Sequence, residues 1–168
     1  MDFKDIIHLY NSLFDDKKKT FKRSHSFGDY FTDRYERAKK EGFGKGSSVY
    51  DNVLIIGDVK VGENTWIGPN VILDGSGGLE IGDYCSISAG VQIYSHNTVE
   101  WANSLGKKKI DKIKTIIGNG VYIGPNSIVQ MGVTIEDKSI IGAMSFVNKT
   151  VEENSKVYGI PAIKKTSL

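Results

Sequence analysis

The stretch "IGNGVYIGPNSIVQMGVTIEDKSIIGAMSFV", residues 117–147, places an aliphatic residue at every sixth position. The position four residues further on is small or β-branched each time, as at Val121 and Ser127. Neither an α-helix, with about 3.6 residues per turn, nor an extended strand, with a repeat of about two, produces this period. The pattern predicts very short strands joined by sharp turns. The aliphatic residues point inward, and Gly or Asn takes the strained corners.

The same period extends over most of the chain. Counting in sixes from Val49 reaches Leu73, and after an eight-residue step, "LDGSGGLE", the count resumes at Ile81 and reaches Ile93. Three such strands would make one triangular coil of about eighteen residues, and stacked coils bury one continuous core. The sequence therefore predicts an all-β solenoid over residues 43–157. Cys85 falls at one of the small inward positions, which predicts a packing role for its thiol.

The period fails between residues 99 and 116, within "IYSHNTVEWANSLGKKKIDKIKTI". The missing length equals one coil, so either a degenerate coil or a loop would keep the faces in phase. A degenerate coil would point Val99, Leu105 and Asp111 inward. Burying an unpaired carboxylate is costly, so we predict an extruded loop near residues 99–115.

The two ends of the chain do not follow the six-residue period. Residues 1–42 carry apolar residues at helical spacing, with Asp29 as a plausible N-cap for the second helical segment. Because solenoids need their open ends covered, this segment is predicted to be a helical cap or a brace against a neighbouring subunit. Residues 158–168 are predicted to form a tail that folds back along the solenoid.

Composition excludes several classes of protein. The formal net charge is only +2, whereas nucleic-acid binders usually carry a clear basic excess. No apolar run is long enough to span a membrane. The N-terminus mixes charges into its apolar positions and lacks the core of a signal peptide, so we expect a cytoplasmic protein.

The repeated "IG" hexads, the histidine-bearing break and the closing "VYGIPA" together resemble the hexapeptide-repeat acyltransferases, over residues 49–165. This resemblance implies a left-handed parallel β-helix, an exception to the usual crossover handedness. It also implies acetyl-coenzyme A as cosubstrate and a homotrimer with grooves between subunits. The stretch "WIGPNVILDGSGGLEIGDYCSISAGVQIYSHNTVEWA" is most similar to the subgroup that acetylates sugars in bacterial surface-glycan pathways.

The resemblance implies that His96 is the catalytic base. Acetyl transfer from a thioester needs a group that removes a proton from the acceptor, and an imidazole with an ordinary pKa of about 6.5 can do so at neutral pH. Relatives commonly carry an acidic residue beside this histidine, whereas this chain has Asn97. Asp74 is a candidate replacement, since Leu73 should lie one coil below Ile93. A turn-forming Asp in "LDGSGG" is the equal alternative.

The resemblance also suggests residues that contact the two substrates. Coenzyme A would lie lengthwise in a groove between subunits, against the backbone of small residues at coil corners and near the C-terminal lysines. The residues transferred on this basis are Gly124, Pro125, Gly142, Ala143, Asn148, Lys164 and Lys165. Asp74, Asn97 and Trp101 are candidates for contacting the acceptor, although anchoring of the loop in the adjacent subunit is slightly favoured for Trp101.

Two other functions compete with acetyl transfer. Some relatives with this fold are zinc-dependent carbonic anhydrases, but that chemistry needs three histidine ligands. Only His96 lies in the repeats, so no metal site is predicted. A non-catalytic scaffold would need neither the histidine nor the break. Whether the acceptor is a sugar hydroxyl or the amine of a nucleotide-linked amino sugar stays open, because the base would do the same work for both.

Overall fold

A computed structural model describes residues 2–164 of the chain; Lys165 lies outside that range. The chain begins with three helices and continues as a parallel β-helix whose coils have three flat faces. Stacked strands pair in parallel and in register, so each inward residue lies directly above its counterpart one coil below. The predicted solenoid is confirmed.

The first face contains the strands that begin each coil. Its order from the N-terminal end is β1 (Ser48–Val49), β3 (Trp66–Ile67), β5 (Ser86–Ile87), β10 (Tyr122–Ile123), β13 (Ile140–Ile141) and β15 (Lys156–Tyr158). A final strand, β16 (Ile163–Lys164), pairs antiparallel with β15. This antiparallel strand folds the end of the described chain back beside the last coil.

The second and third faces are continuous at the N-terminal end, because two long strands, β2 (Leu54–Val61) and β4 (Ile72–Ile81), each cross from one face to the other. The second face continues with β6 (Gln92–Ile93), β11 (Ile128–Val129) and β14 (Phe146–Val147). The third face continues with β9 (Thr115–Ile117) and β12 (Thr134–Ile135) and ends in a bridge between Ile135 and Val151.

The core is formed by the residues that the six-residue period selects. The inward aliphatic residues are almost all buried, and Ile55, in the first coil, is half-buried. The small residues beside them are buried as well: Thr65, Val71, Cys85, Val91, Val121, Ser127, Val133, Ser139, Ser145 and Val151. The Cys85 thiol donates to the carbonyl of Gly118 at 3.0 Å, and burial raises the pKa of this thiol. The predicted packing position of Cys85 is therefore confirmed.

The N-terminal segment forms α1 (Phe3–Phe21), α2 (Phe27–Phe31) and α3 (Arg34–Lys40). Helix α3 closes the open end of the β-helix: Ala38 packs into the core, and Arg37 donates to the carbonyls of Tyr50 and Val53. The predicted N-cap Asp29 is wrong, because Asp33 caps α3 by accepting from the Tyr35 N–H. Within residues 2–164, no helix is both long and apolar enough to cross a membrane.

The break in the period is an extruded hairpin. Its two arms are β7 (His96–Asn97) and β8 (Asp111–Lys112), which pair antiparallel, and its tip carries the short helix α4 (Val99–Asn103). The chain rejoins the third face at Thr115, so the loop ends slightly earlier than predicted because Thr115 and Ile116 already pair with β4. Ile93 and Ile117 are consecutive inward residues of one coil, which explains why the faces stay in phase.

The core predicts a sharp difference between two neighbouring isoleucines on β13. Ile141 is fully buried, whereas Ile140 points outward. We expect Ile141→Ala to lower the free energy of unfolding by about 2–5 kcal/mol, because it leaves a cavity among packed side chains. Ile140→Ala removes the same atoms and serves as the matched control. Chemical denaturation of both variants checks this, and equal losses would contradict the assigned inward face.

Candidate active site

His96, the predicted base, and Asp74 meet where the chain turns from the second face to the third. We call this edge the second corner; it contains residues 74–78, 94–96, 130–132 and 148–150 of successive coils. Leu73 pairs with Ile93, as counting predicted, so Asp74 lies one coil below the start of the hairpin. The Asp74 carboxylate is 2.5 Å from Nδ1 of His96.

Asp74 is fully buried, and hydrogen bonds compensate its carboxylate. Oδ2 accepts from the backbone N–H groups of Ser95, at 2.9 Å, and His96, at 3.1 Å. Oδ1 accepts from the backbone N–H of Ser76 at 3.0 Å. Burial alone would raise the pKa of Asp74, but the hydrogen bonds from Ser76, Ser95 and His96 outweigh it and lower the pKa to about 2. The carboxylate is therefore ionised throughout the neutral range.

This carboxylate determines the tautomer of the His96 ring. An ionised carboxylate can only accept hydrogen bonds, so Nδ1 carries the proton in the neutral ring. Nε2 then presents a lone pair, and the side chain is about 29% exposed. No hydrogen bond to Nε2 occurs within the described residues. The second corner therefore holds an oriented imidazole with an available basic nitrogen.

Two features of β4 create room for this pair. Asp74 to Gly78 form an enlarged turn, because β4 has more residues here than β2 and the register shifts after Gly57. A Cβ on Gly77 would lie 2.4 Å from the carbonyl oxygen of Ser95, so only glycine fits there. The Gly77 N–H instead donates to Oγ of Ser95. Ser95 thus connects the enlarged turn to the coil above by this hydrogen bond. Its position in the sequence did not indicate this role.

The base of the hairpin is fixed by hydrogen bonds close to His96. The Ile113 N–H donates to the carbonyl of Ser95 at 2.9 Å, which joins the two arms of the loop. Thr115 donates through Oγ1 to the carbonyl of Tyr94 and accepts from the N–H of Gly132 in the next coil. The histidine therefore lies on a stretch of backbone that is held from both sides.

Asn97 and Trp101 belong to the hairpin. The Asn97 side chain accepts from the Val99 N–H and donates to the Met131 sulfur at 3.2 Å, so its amide already stabilises the loop. Trp101 lies on α4 with about half of its surface exposed. Its carbonyl accepts from the Gly106 N–H, which closes the tip of the loop.

The residues transferred for coenzyme A binding lie mainly along a different edge. We call the turn between the first and second faces the first corner; it contains residues 68–70, 88–90, 124–126 and 142–144. Gly124 and Gly142 lie there in successive coils, and an added Cβ would come within 2.5 Å of the Ala143 N and 2.6 Å of the Tyr158 Cβ, respectively. Coil stacking therefore requires both glycines whether or not a ligand binds. Pro125 is half-buried beside them, and Ala143 is exposed.

The remaining transferred residues are near the C-terminal end. Asn148 is exposed and belongs to the second corner, two coils above Tyr94. Lys164, on β16, forms an exposed ion pair with Glu152 at 2.8 Å. Lys165 lies outside the described residues. Within residues 2–164, no group of three or more His, Cys, Asp and Glu side chains could hold a metal ion.

Comparisons with known proteins agree with this architecture. Residues 58–95 match the family model for the hexapeptide repeat of succinyl-transferase, and residues 114–149 match that for the bacterial transferase hexapeptide with six repeats. These two segments carry the repeats of the bacterial hexapeptide transferases, and the solenoid is the left-handed parallel β-helix that such repeats form.

Two curated relatives resemble part of the chain. Galactoside O-acetyltransferase of Escherichia coli (strain K12) is 31% identical over 112 residues, covering 66% of this chain and 45% of the relative. The dTDP-4-amino-4,6-dideoxy-D-glucose acyltransferase of Escherichia coli is 35% identical over 95 residues, covering 52% and 50%. The chain spans about half the length of the curated relatives it matches.

A solved structure covers nearly the whole chain. It is the hexapeptide-repeat-containing acetyltransferase of Vibrio cholerae O1 biovar eltor in complex with acetyl-coenzyme A. That protein is 25% identical, with a TM-score of 0.70 over 98% of this chain and 89% of the other. The likeness therefore includes the N-terminal helices as well as the β-helix.

The buried carboxylate predicts a pH-dependent contribution to stability. The folded pKa of Asp74, about 2, is below its ordinary value of 3.8, so ionisation stabilises the folded state by about 2 kcal/mol above pH 5. This contribution should disappear as the pH falls through the folded pKa. We expect the difference in unfolding free energy between the wild type and Asp74→Asn to shrink by about that amount from pH 5 towards pH 2.

Urea denaturation across this pH range measures the difference directly. Asp58→Asn, a substitution at an exposed position of β2, is the control for a general loss of one negative charge. A difference between the wild type and Asp74→Asn that stays constant with pH would show that the folded carboxylate titrates normally.

Proposed function

We propose that the chain is an acetyltransferase that moves an acetyl group from acetyl-coenzyme A directly to a sugar, with His96 as general base. The observation that carries this proposal is the pair formed by the buried Asp74 carboxylate and the His96 ring, with Nε2 available. Similarity to two sugar-modifying enzymes and to a structure bound to acetyl-coenzyme A supports the same reaction. Acetyl-coenzyme A is present in the cytoplasm, where we expect the enzyme to act.

The proposed reaction has two steps. Nε2 of His96 takes the proton from the acceptor hydroxyl or amine while that atom forms a bond to the thioester carbonyl carbon. The tetrahedral intermediate then collapses: the carbon–sulfur bond breaks, the acetyl group stays on the acceptor, and the imidazolium returns the proton to the coenzyme A sulfur. Asp74 acts as a positioning residue, because it fixes the ring orientation and faces the positive charge that forms on it.

Coenzyme A would bind along the first corner. Gly124, Pro125, Gly142 and Ala143 would present backbone to the pantetheine arm, with Asn148 as a further contact and Lys164 and Lys165 near the nucleotide phosphates. The ion pair with Glu152 leaves Lys164 exposed and able to exchange partners, since an exposed pair contributes little stability. Asn97 and Trp101 would lie near the acceptor.

Two alternatives explain the site less well. A scaffold needs no buried carboxylate oriented against a partly exposed imidazole, and such a carboxylate costs free energy to bury. A zinc-dependent anhydrase needs a histidine ligand set, and the described repeats offer only His96. The two sugar-modifying relatives represent both acceptor types: one is an O-acetyltransferase, and the other is named for an amino sugar.

The first functional prediction concerns His96. We expect His96→Gln to lower kcat by about 10²–10⁴-fold, because a positioned general base contributes about that much. The measurement is thiol release from acetyl-coenzyme A with a panel of free sugars, amino sugars and nucleotide-linked amino sugars. His8→Gln, the same change on the exposed face of α1, is the matched control. A His96→Gln enzyme within three-fold of the wild type would remove this residue from the mechanism.

The second functional prediction concerns assembly. Within one chain, His96 and Ala143 lie on opposite edges of the second face, so one groove can contain both only if two chains contribute. We propose a homotrimer on this basis and on the family resemblance. The light-scattering mass should be about three times the 18.5 kDa of one chain.

Subunit mixing tests whether the active site is shared between chains. His96→Gln and the groove-blocking Ala143→Trp should each be inactive alone. Refolded together in equal amounts, they should regain about a quarter of the wild-type activity, because that fraction of grooves pairs two intact edges. No recovery in mixed trimers would place the whole site in one chain.

A further inference from the structure

A pocket lies at the N-terminal end of the molecule, away from the second corner. It is formed where the C-terminal half of α1 and the start of α3 meet the end of β1, and its volume is about 170 Å³. Its cationic side chains are Lys17, Arg23 and Arg34, and its aromatic walls include Tyr35 and Tyr50. We call it the arginine pocket.

Within residues 2–164, Arg34 is held in place without a carboxylate partner. Its guanidinium donates to the hydroxyl of Tyr50 at 3.2 Å and to that of Tyr35 at 3.5 Å. It also lies over both rings, at 5.1 Å from the Tyr35 centroid and 5.6 Å from the Tyr50 centroid. A guanidinium has five N–H donors, so donors remain for a ligand on a side chain that is already oriented.

Lys17 and Arg23 also form no ion pair within the described residues. The described part of the chain contains no ion pair to Lys17, Arg23 or Arg34. Lys17 lies over the Phe21 ring at 5.4 Å, and Arg23 is exposed. Three cations without carboxylate partners around one concave space favour an anion over a neutral ligand.

The two carboxylates in the wall are already engaged by the protein. Asp29 is buried and accepts from the Ser26 hydroxyl at 2.7 Å and from the Asp51 N–H at 3.0 Å. Asp33 accepts from the Tyr35 N–H as the cap of α3. Their hydrogen-bonding capacity serves local structure, and the lining still has one more cation than anion.

The arginine pocket opens into a groove along the first corner. Arg23, Arg34, Tyr35 and Tyr50 line both spaces, and the groove has a volume of about 650 Å³. Beyond the arginines its surface carries Trp66, which is 60% exposed, and the hydroxyl residues Ser86 and Ser88. An exposed indole beside hydroxyl groups suits the apolar face and polar edge of a sugar ring or base.

The groove ends where the proposed coenzyme A site begins. Ala89 lines its far end, and the Ala89 carbonyl accepts from the N–H of Asn126, next to Pro125. The arginine pocket, the groove and the small-residue stretch therefore follow one another along the same corner. An acceptor anchored at the arginines could extend towards the donor.

We infer that the arginine pocket binds an oxyanion of the acceptor, so that the substrate is a sugar carrying a phosphate or a carboxylate rather than a neutral sugar. This inference rests on the proposed function, because the chain has an acceptor only if it transfers an acetyl group. Phosphate and carboxylate each present a pair of oxygens that can accept two parallel hydrogen bonds from a guanidinium fork. A nucleoside-diphosphate sugar and a uronic acid are the two sources of that chemistry.

Equilibrium binding tests the pocket without relying on turnover. Titration calorimetry with inorganic pyrophosphate and with glucuronate, at fixed ionic strength, separates the two sources. We expect one of them to bind the wild type and to bind Arg34→Gln at least ten-fold more weakly. Arg23→Gln, at an exposed position, should also weaken binding. Lys40→Gln, an exposed charge loss on the same helix, should bind like the wild type.

The outcomes separate the inference from the proposed function. Anion binding that is lost in Arg34→Gln but kept in Lys40→Gln supports an anion site in the arginine pocket. If no acceptor in the panel gives turnover, that result counts only against the proposed acetyltransferase activity. Equal binding in all variants, or no binding of either anion, overturns the inference that the arginine pocket binds an anion. Neither result affects the proposed acetyl transfer. If Arg34→Gln weakens coenzyme A itself ten-fold, the pocket belongs to the donor and the inference is wrong.

Kinetics then connect the pocket to the acceptor. With the acceptor that gives turnover, Arg34→Gln should raise its KM at least ten-fold and change kcat by less than three-fold, because the side chain does not touch the reacting atoms. A merely structural role would lower kcat and thermal stability together. Turnover of a neutral sugar at the wild-type KM in Arg34→Gln, with no preference for charged acceptors, would contradict the inference.

Discussion

Every coil of this protein must return to the same position after three strands, because each strand hydrogen-bonds to the strand one coil below. A single extra residue on a face would turn inward side chains outward, since successive residues of a strand point to opposite sides. Additions are therefore tolerated only at corners, where the chain can leave the surface and come back. Both irregularities of the β-helix, the enlarged turn after Leu73 and the hairpin after Ile93, obey this rule.

These two irregularities lie on the same corner in neighbouring coils, and together they form the candidate active site. The enlarged turn places Asp74 under the hairpin and supplies the Ser76 N–H, while the departing hairpin supplies the N–H groups of Ser95 and His96. A carboxylate with no exposed surface is stable only when such donors surround it. Among the described residues, the regular coils offer no comparable cluster, because their corner N–H groups mostly bond to carbonyls of adjacent coils. The departure from regularity is what makes the ionised Asp74 possible.

The six-residue period was sufficient to predict the core, the loop and the stacking of Leu73 under Ile93, because one repeated distance fixes them all. It was also sufficient to bring Asp74 within reach of His96, although a turn Asp was an equal alternative from sequence. The supporting serines were not predictable, since a serine near a turn is common and only the folded backbone shows what it contacts. The Arg34 contacts with Tyr50 join segments that share no period, so counting along the chain could not find them.

Within one chain, the proposed base and most of the proposed coenzyme A contacts lie on different corners, with Asn148 as the exception. His96 and its carboxylate occupy the second corner, whereas the small-residue stretch and the arginine pocket follow the first. The second face between them is flat and carries outward apolar residues such as Ile128, about a third exposed. Under the proposed function, a neighbouring copy brings its second corner to this first corner and covers the hairpin as well. Assembly would then be part of the chemistry, because no bending of a hydrogen-bonded β-helix could bring its own two edges together.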